Sequence, residues 1–463
     1  MSDEVPERSG DALPPDPSEA THPTGLYVLF ATELWERFGF YSMMALFTLY
    51  LQDKTQGFGW TTDEATRLYS TYLMCVYAGP VVGGFLADRW LGHRPAVMMG
   101  GAVFVAGYLL MSTPSLTGVY VALGFLVVAN GLFKPNVSIL VGNLYPDGSP
   151  LKDRAFSIFY MGINIGAFLA PIVAQFMTAY FGFRPALCVS AFGMLIGLAV
   201  LALFKKHVEG PAVDQYRARA LEAMQARQAR TAAKDGAPPE RSIAEVPESA
   251  RITALIVIYA IAVVFWMVFY QNGSTLTYWA ERNTAWPSEK LGGIISNAIN
   301  PFWIVALTFP LVWLFKWLDR RGLEPSTPAK MAFGMLFMGL SFFVLYVAAK
   351  VGEASAPPGS PYAFRLSPMW LVVSYLFVSL GELLLSPMGL SLVTKVAPAR
   401  MRGMMMGGWF IANSVGAKLT MIGIYWDRWL HSSFFAVLGL LSIGMGLFLF
   451  MILRPLKRAM PGV

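Results

Sequence analysis

The sequence is short of charge, cysteine and histidine. Only 14% of its 463 residues are Asp, Glu, Lys or Arg, against about 25% in a soluble domain, too little to cover a water-facing globule. Two cysteines exclude a disulfide scaffold. The four histidines, His22, His93, His207 and His431, fall in a tail, in loops or at the end of an apolar run. With them go a metal-ligand cluster and a Ser-His-Asp set, and no nucleophile elbow is present, so nothing supports an enzyme, a bound metal or a cofactor. A net charge of +7 diluted by long neutral stretches excludes a nucleic-acid binder. Residues 1–25 lack a basic n-region, an apolar h-region and a cleavage site, so they read as a disordered tail rather than a signal peptide.

Apolar residues fill what those absences leave. They make up 56% of the chain, with a mean hydropathy of +0.52, and they recur in runs of about 20 residues, the length that crosses a bilayer. The runs predict twelve spans, near 26–51, 67–87, 95–112, 117–141, 154–181 and 185–204, then 252–280, 290–315, 331–349, 369–394, 403–427 and 432–453. The fold class expected is an all-α integral membrane protein with two six-helix bundles, 26–204 and 251–454. A polar linker, 205–250, joins them, with a possible surface helix over 213–233, and 455–463 form a second tail. The termini and even-numbered loops hold 24 Lys and Arg and the odd-numbered loops 8. By the positive-inside rule both termini are cytoplasmic and the chain is a multi-pass protein of the cell membrane.

The halves share a turn. GGFLADRWLGHRP and KWLDRRGLEPSTP each place Asp-Arg and then Gly between the second and third spans of their half: Asp88, Arg89 and Gly92, and Asp319, Arg320 and Gly322. Two related six-helix bundles with this turn resemble the major facilitator superfamily, which implies alternating access by rocking of one bundle against the other.

Six charges lie inside the predicted spans and clear of their ends: Glu33, Glu36, Arg37, Lys134, Glu382 and Lys418. Each costs at least about 2.5–3.5 kcal/mol to insert, so each is a functional candidate. Glu33, Glu36 and Arg37 fall at i, i+3 and i+4 on one helical face. Protonating one carboxylate frees the guanidinium for an acidic ligand group; a static buried ion-pair cluster is the other reading. No histidine lies in a span, so a transported proton must ride on carboxylates. Pro135, Pro301 and Pro387 fall close to several of these charges and predict bends.

TELWERFGFYSMMALFTLYL resembles the E-x-x-E-R-F-x-Y-Y first-helix signature of proton-dependent oligopeptide transporters, matching at Glu33, Glu36, Arg37, Phe38 and Tyr41. GLFKPNVSILVGNLY, FSIFYMGINIGAFLAP and GELLLSPMGLSLV resemble that family's fourth, fifth and tenth helices. The resemblance implies a proton-coupled symporter importing di- and tripeptides, or, as the alternative, a transporter of another small zwitterionic or anionic solute. It implies small peptides, protons and the lipid bilayer as partners, no nucleic acid, and a monomer.

It also implies roles. Arg37 and Lys134 would hold the peptide carboxylate, and Glu382, Asn164 and Asn300 the amino terminus, while Tyr41, Tyr77, Trp266, Ser386 and Trp409 line the pocket. Glu33, Glu36, Arg37, Lys134 and Glu382 would couple the proton. In an empty site Lys134 and Glu382 could pair across the cavity. Phe40 stands where the family has the first Tyr of its pair. Met44 and Tyr270 stand where it often has Arg and Glu, so that gate is expected to close by packing and hydrogen bonding of Met44 and Tyr270. The turn residues Asp88 and Arg89 join them as candidate switch residues. Many bacterial relatives insert two helices between the halves; residues 205–250 are too polar to supply them.

Overall fold

In a computed structural model the chain is described over residues 22–146, 149–231, 246–288 and 290–460. Tail residues 1–21, linker residues 232–245 and the end of the second tail lie outside the described residues. The described residues are helical with short turns: α1 (Thr24–Gln52), α2 (Thr62–Leu86), α3 (His93–Met111), α4 (Leu116–Asn143), α5 (Pro150–Phe181) and α6 (Phe183–Leu203), then α7 (Pro211–Thr231) in the linker. The second half holds α8 (Glu248–Phe269), α9 (Thr275–Arg282), α10 (Gly293–Ser296), α11 (Ile299–Asp319), α12 (Thr327–Ser355), α13 (Met369–Val396), α14 (Arg402–Leu419), α15 (His431–Met451) and α16 (Leu453–Ala459).

Each predicted span is met by helix, six to a half, with α8 plus α9 and α10 plus α11 forming the seventh and eighth. Ten segments are long and apolar enough to cross a bilayer on those grounds alone. The other two, α1 and α14, carry Glu33, Glu36, Arg37 and Lys418, and they cross because those groups face protein rather than lipid. Among the described residues between Leu203 and Glu248, no segment qualifies as a span. The first tail was expected to reach residue 25. Instead Thr24 and Gly25 open α1, and the His22 Nδ1 and Tyr145 hydroxyl are 2.8 Å apart.

Local chemistry sets the boundaries. Thr61 and Glu64 form a capping box at the start of α2, and Ser115 caps α4 through the Gly118 N–H. The repeated Asp-Arg-Gly turns are alike in backbone too. Gly92 has φ +75° and Gly322 +66°, in the left-handed region that glycine adopts without strain. Pro301 makes no kink; it lies in the first turn of α11, where a missing N–H costs nothing. Pro135 and Pro387 do fall inside α4 and α13.

The packing is nearly two-fold. α1 lies on α5 and α6, α3 on α4 and α6, and α2 on α4, and the second half repeats this with α8 on α14 and α15, α12 on α13 and α15, and α11 on α13. The halves meet where α2 crosses α14 and α5 crosses α11, two contacts that a two-fold axis along the membrane normal exchanges. Where α2 meets α4, a Cβ on Gly83 would lie 1.9 Å from the Gly131 carbonyl oxygen, so only glycine lets these backbones touch. That approach brings the α4 charge against the α2 tyrosine described next.

Candidate functional site

α1 turns Glu33, Glu36 and Arg37 inward, where they are 2%, 0% and 3% exposed. One helical turn separates Glu33 from Arg37, and Arg37 Nε lies 3.2 Å from Glu33 Oε1. Neighbours in sequence do not face each other on a helix, yet Arg37 folds back onto Glu36. Its Nε donates to Oε2, and its Nη2 donates to Oε1 at 2.7 Å. The fork satisfies both Glu36 oxygens, while Glu33 Oε2 has no hydrogen-bond partner. The guanidinium also lies 5.1 Å from the centre of the Phe40 ring, so the ring that lacks the family's hydroxyl packs on the cation instead.

Lys134, on α4, shares the electrostatic field of Arg37, Glu33 and Glu36, and its Nζ sits 5.0 Å from the centre of the Tyr77 ring on α2. The expected pairing of Lys134 with Glu382 is not formed: no ion pair joins them among the described residues. Glu382 Oε2 accepts from Asn300 Nδ2 at 3.1 Å, and the same amide donates to Ser379 Oγ at 3.0 Å. A neutral amide is already within reach and needs no movement of either half.

Between the two poles lie hydroxyls. Tyr41, Tyr77 and Tyr160 all interact electrostatically with Glu382, and Tyr41 and Tyr77 with Arg37 as well. Tyr160 and Ser379 were not singled out in the sequence, where only their place one or two turns from Asn164 and Glu382 could have flagged them. Asn164 is 7% exposed and donates back to the Tyr160 carbonyl at 2.9 Å within α5, so it is not joined to Glu382. Ser386 is half-buried beside Pro387. Trp409 is packed over Gly389, where a Cβ would meet its ring at 1.9 Å, and lies edge-on to Tyr259 with centroids 6.3 Å apart.

Tyr270 opens the short 3₁₀ turn Tyr270–Gly273 that interrupts the seventh span. Its ring stacks on Tyr77 at 5.0 Å and 26°, and on Trp266 at 5.4 Å and 18°. Its hydroxyl donates to Asn413 Oδ1 at 2.8 Å, a partner the sequence did not suggest. Met44 is buried at 8%. Asp88 and Arg89, in contrast, lie in the exposed turn before Gly92, away from the other candidates; Asp88 Oδ1 is 3.8 Å from His93 Nε2.

Ties between the halves concentrate at the end of the bundle opposite the termini, called the far end below. Thr48 donates to the Gly273 carbonyl at 3.2 Å, Tyr69 to the Tyr270 carbonyl at 3.1 Å and Ser414 to the Met74 carbonyl at 2.8 Å. Arg282 donates to Gln52 Oε1 at 2.5 Å, and Gln175 Oε1 accepts from the Gly292 N–H at 3.2 Å. Lys418, the sixth intramembrane charge, donates to Thr71 Oγ1 at 2.7 Å. Lys418 therefore belongs to this closure and not to the central poles.

Two cationic groups on one half and a carboxylate on the other can receive the opposite ends of a zwitterion, and the paired carboxylates can exchange a proton for a ligand's charge. Comparison with known proteins gives the family. The sequence matches the Major Facilitator Superfamily over residues 36–417. It is 32% identical to the uncharacterized transporter YclF of Bacillus subtilis, covering 96% of each chain. It is 30% identical to dipeptide and tripeptide permease A of Chromobacterium violaceum, covering 86% of this chain and 84% of that one. The crystal structure of a peptide transporter POT in complex with sulfate superposes with a TM-score of 0.81 at 31% identity, covering 95% of this chain and 96% of that one. Charges, fold and relatives coincide: the chain belongs to the major facilitator superfamily and, within it, to the proton-dependent oligopeptide transporters.

Proposed function

We propose that this protein is a proton-coupled symporter that imports di- and tripeptides by alternating access. The observation that carries the reading is the pair of opposed poles, Arg37 with Lys134 on one half and Glu382 with Asn300 on the other, with tyrosine hydroxyls between. Arg37 and Lys134 take the peptide carboxylate and Glu382 the amino group, with Asn300 steering that carboxylate. Tyr41, Tyr77, Trp266, Ser386 and Trp409 offer surfaces that tolerate varied side chains, and Asn164 stays a candidate for the amino end.

Coupling follows from charge. With Glu33 and Glu36 ionised, Arg37 is neutralised within α1; with one protonated, the cavity gains a unit of positive charge and becomes a better host for a carboxylate. Proton and peptide then favour each other reciprocally. An inward proton adds about 2.3 kcal/mol per 100 mV of membrane potential. With both termini cytoplasmic, as the Lys and Arg count supports, the pinched far end is the outer one, and the central poles face inward. The protein works as a monomer in the cell membrane, with boundaries near 204 and 251 between the rocking halves.

Uptake of labelled dialanine into proteoliposomes, with and without an imposed inward proton gradient, tests the reading. Saturable uptake that the gradient raises above equilibrium is expected. Uptake that neither saturates nor responds to the gradient would mark a channel, and none at all another solute.

A further inference from the structure

We propose that the Tyr77 ring reads the position of the Lys134 ammonium and passes it across the seam to Tyr270, so that closure of the far end follows where that cation sits. Four groups from three spans are joined in series as one column of contacts. Lys134 Nζ of α4 is 5.0 Å from the Tyr77 ring of α2; Tyr77 stacks on Tyr270 at 5.0 Å and 26°, and Tyr270 on Trp266 of α8 at 5.4 Å and 18°. The contact between Tyr77 and Tyr270 is the one that crosses from half to half.

The column is fixed at one end and free at the other. Tyr270 is held by its hydroxyl on Asn413 at 2.8 Å and by its carbonyl under Tyr69 at 3.1 Å. Trp266 is pressed against α14, where a Cβ on Gly416 would lie 2.7 Å from its own Cβ. Among the described residues Lys134 is held only by the ring and by the field of neighbouring charges. A cation near a ring draws π density toward itself and leaves the rest of the ring less negative, which favours contact with the next ring. Remove the cation and the two tyrosines keep only their own stacking and the hydrogen bond between their hydroxyls, which Tyr77→Phe removes without removing the ring.

The charged and titratable groups around Lys134 are Arg37, Glu33 and Glu36 from α1 and Tyr77 from α2. Glu36 is consumed by the Arg37 fork. Glu33 keeps one oxygen without a hydrogen-bond partner, and when ionised it is the group placed to draw the ammonium off the ring. Proton loss from Glu33 then loosens the far end, and proton uptake tightens it. This step also replaces what Met44 and Tyr270 cannot supply, an ion pair at the seam. It rests on the proton-coupled reading but involves no substrate, so it is tested without one.

Spin labels at Lys54 and Ser360, exposed on far-end loops of the two halves, report closure in the full chain reconstituted in lipid, with Cys75 and Cys188 replaced. In the absence of any ligand, Tyr77→Leu and Lys134→Gln are each expected to lower the ratio of closed to open molecules about tenfold, within the usual range of coupling between sites. Tyr77→Phe, which keeps the ring, retains the ratio, and Glu33→Gln raises it. The double variant Glu33→Gln with Tyr77→Leu follows Tyr77→Leu, because the ring acts after the carboxylate. A Tyr77→Leu protein as closed as the wild type overturns the proposal. So does a Tyr77→Phe protein that opens like Tyr77→Leu, or a double variant that stays shut. If Tyr77→Leu does not fold, Lys134→Gln decides: an unchanged closed ratio there overturns the proposal too.

Discussion

The two halves of this transporter have similar helix packing and very different interiors. The first half buries Glu33, Glu36 and Arg37 on α1, with the half-buried Lys134 of α4 in their field. The second offers Glu382, answered by the neutral amide of Asn300, and sends its other intramembrane charge, Lys418, to the far end. A half that balances its charges internally can gain or lose a proton without stranding an ion. A lone carboxylate held by an amide instead gives up a weak neutral donor when a ligand cation arrives, and charge-assisted hydrogen bonds are about twice as strong as neutral ones. On the proposed reading the first half joins proton coupling to the carboxylate pole, and the second supplies the pole for the amino group.

The largest expected effect tests the balanced half. Arg37→Ala strands two buried carboxylates, which should cost about 3–5 kcal/mol of stability, seen as a fall in the thermal unfolding midpoint with loss of uptake. Arg37→Lys keeps the charge but not the fork, so it should fold while uptake drops at least about tenfold. If Arg37→Ala is as stable as the wild type, the internal balance is not needed and the contrast between halves fails.

Next comes the recognising half. Glu382→Gln should reduce proton-driven dialanine uptake roughly tenfold to a hundredfold, the worth of a hydrogen bond to a charged group. Stability should hardly move, because Asn300 keeps a partner. Counterflow of N-acetylated dialanine, which has no cationic end, should respond far less. Equal losses for both peptides would mean Glu382 serves the proton and not the amino group. Asn300→Ala, which leaves Glu382 without its donor, should be milder, about threefold to tenfold in uptake.

The smallest effect concerns the far-end loop. Asp53 Oδ1 accepts from the Thr55 N–H at 2.9 Å and the Gln56 N–H at 2.6 Å, and Gln56 in turn accepts from the Phe183 N–H at 2.7 Å. Partial burial alone would raise its pKa, but these N–H groups outweigh it and hold the carboxyl below its ordinary value. Its stabilisation is therefore present above the usual carboxylate range and is lost as pH falls through the lower, folded value. Asp53→Ala should cost about 1 kcal/mol at neutral pH and nothing once the acid limb is passed, as read from unfolding midpoints across that limb.

The sequence announced the spans, because an apolar run of bilayer length has few other uses, and it announced the candidate ions, because a charge in such a run is expensive. It carried no sign of Tyr160, Ser379 or Asn413, which look like any other polar residue in a helix and matter here through what lies opposite them. The Arg37 fork onto Glu36 ran against helical spacing, since a long flexible side chain can reach where its Cβ does not point. Opposite charge alone suggests pairing Lys134 with Glu382; the Asn300 amide on Glu382 and the Tyr77 ring beside Lys134 are the partners found instead.

Composition and hydropathy by themselves determined a helical membrane protein with charged groups buried in its first, fourth, tenth and eleventh spans, because lipid leaves the backbone no other way to satisfy its hydrogen bonds and makes an unpaired ion costly. Only the tertiary structure decided which of those ions meet, that Lys134 rests on Tyr77 and Tyr77 on Tyr270, and which end of the bundle is pinched. Such contacts join residues on different helices, and their geometry follows from how backbones cross at positions such as Gly83 and Gly131, which local spacing does not encode.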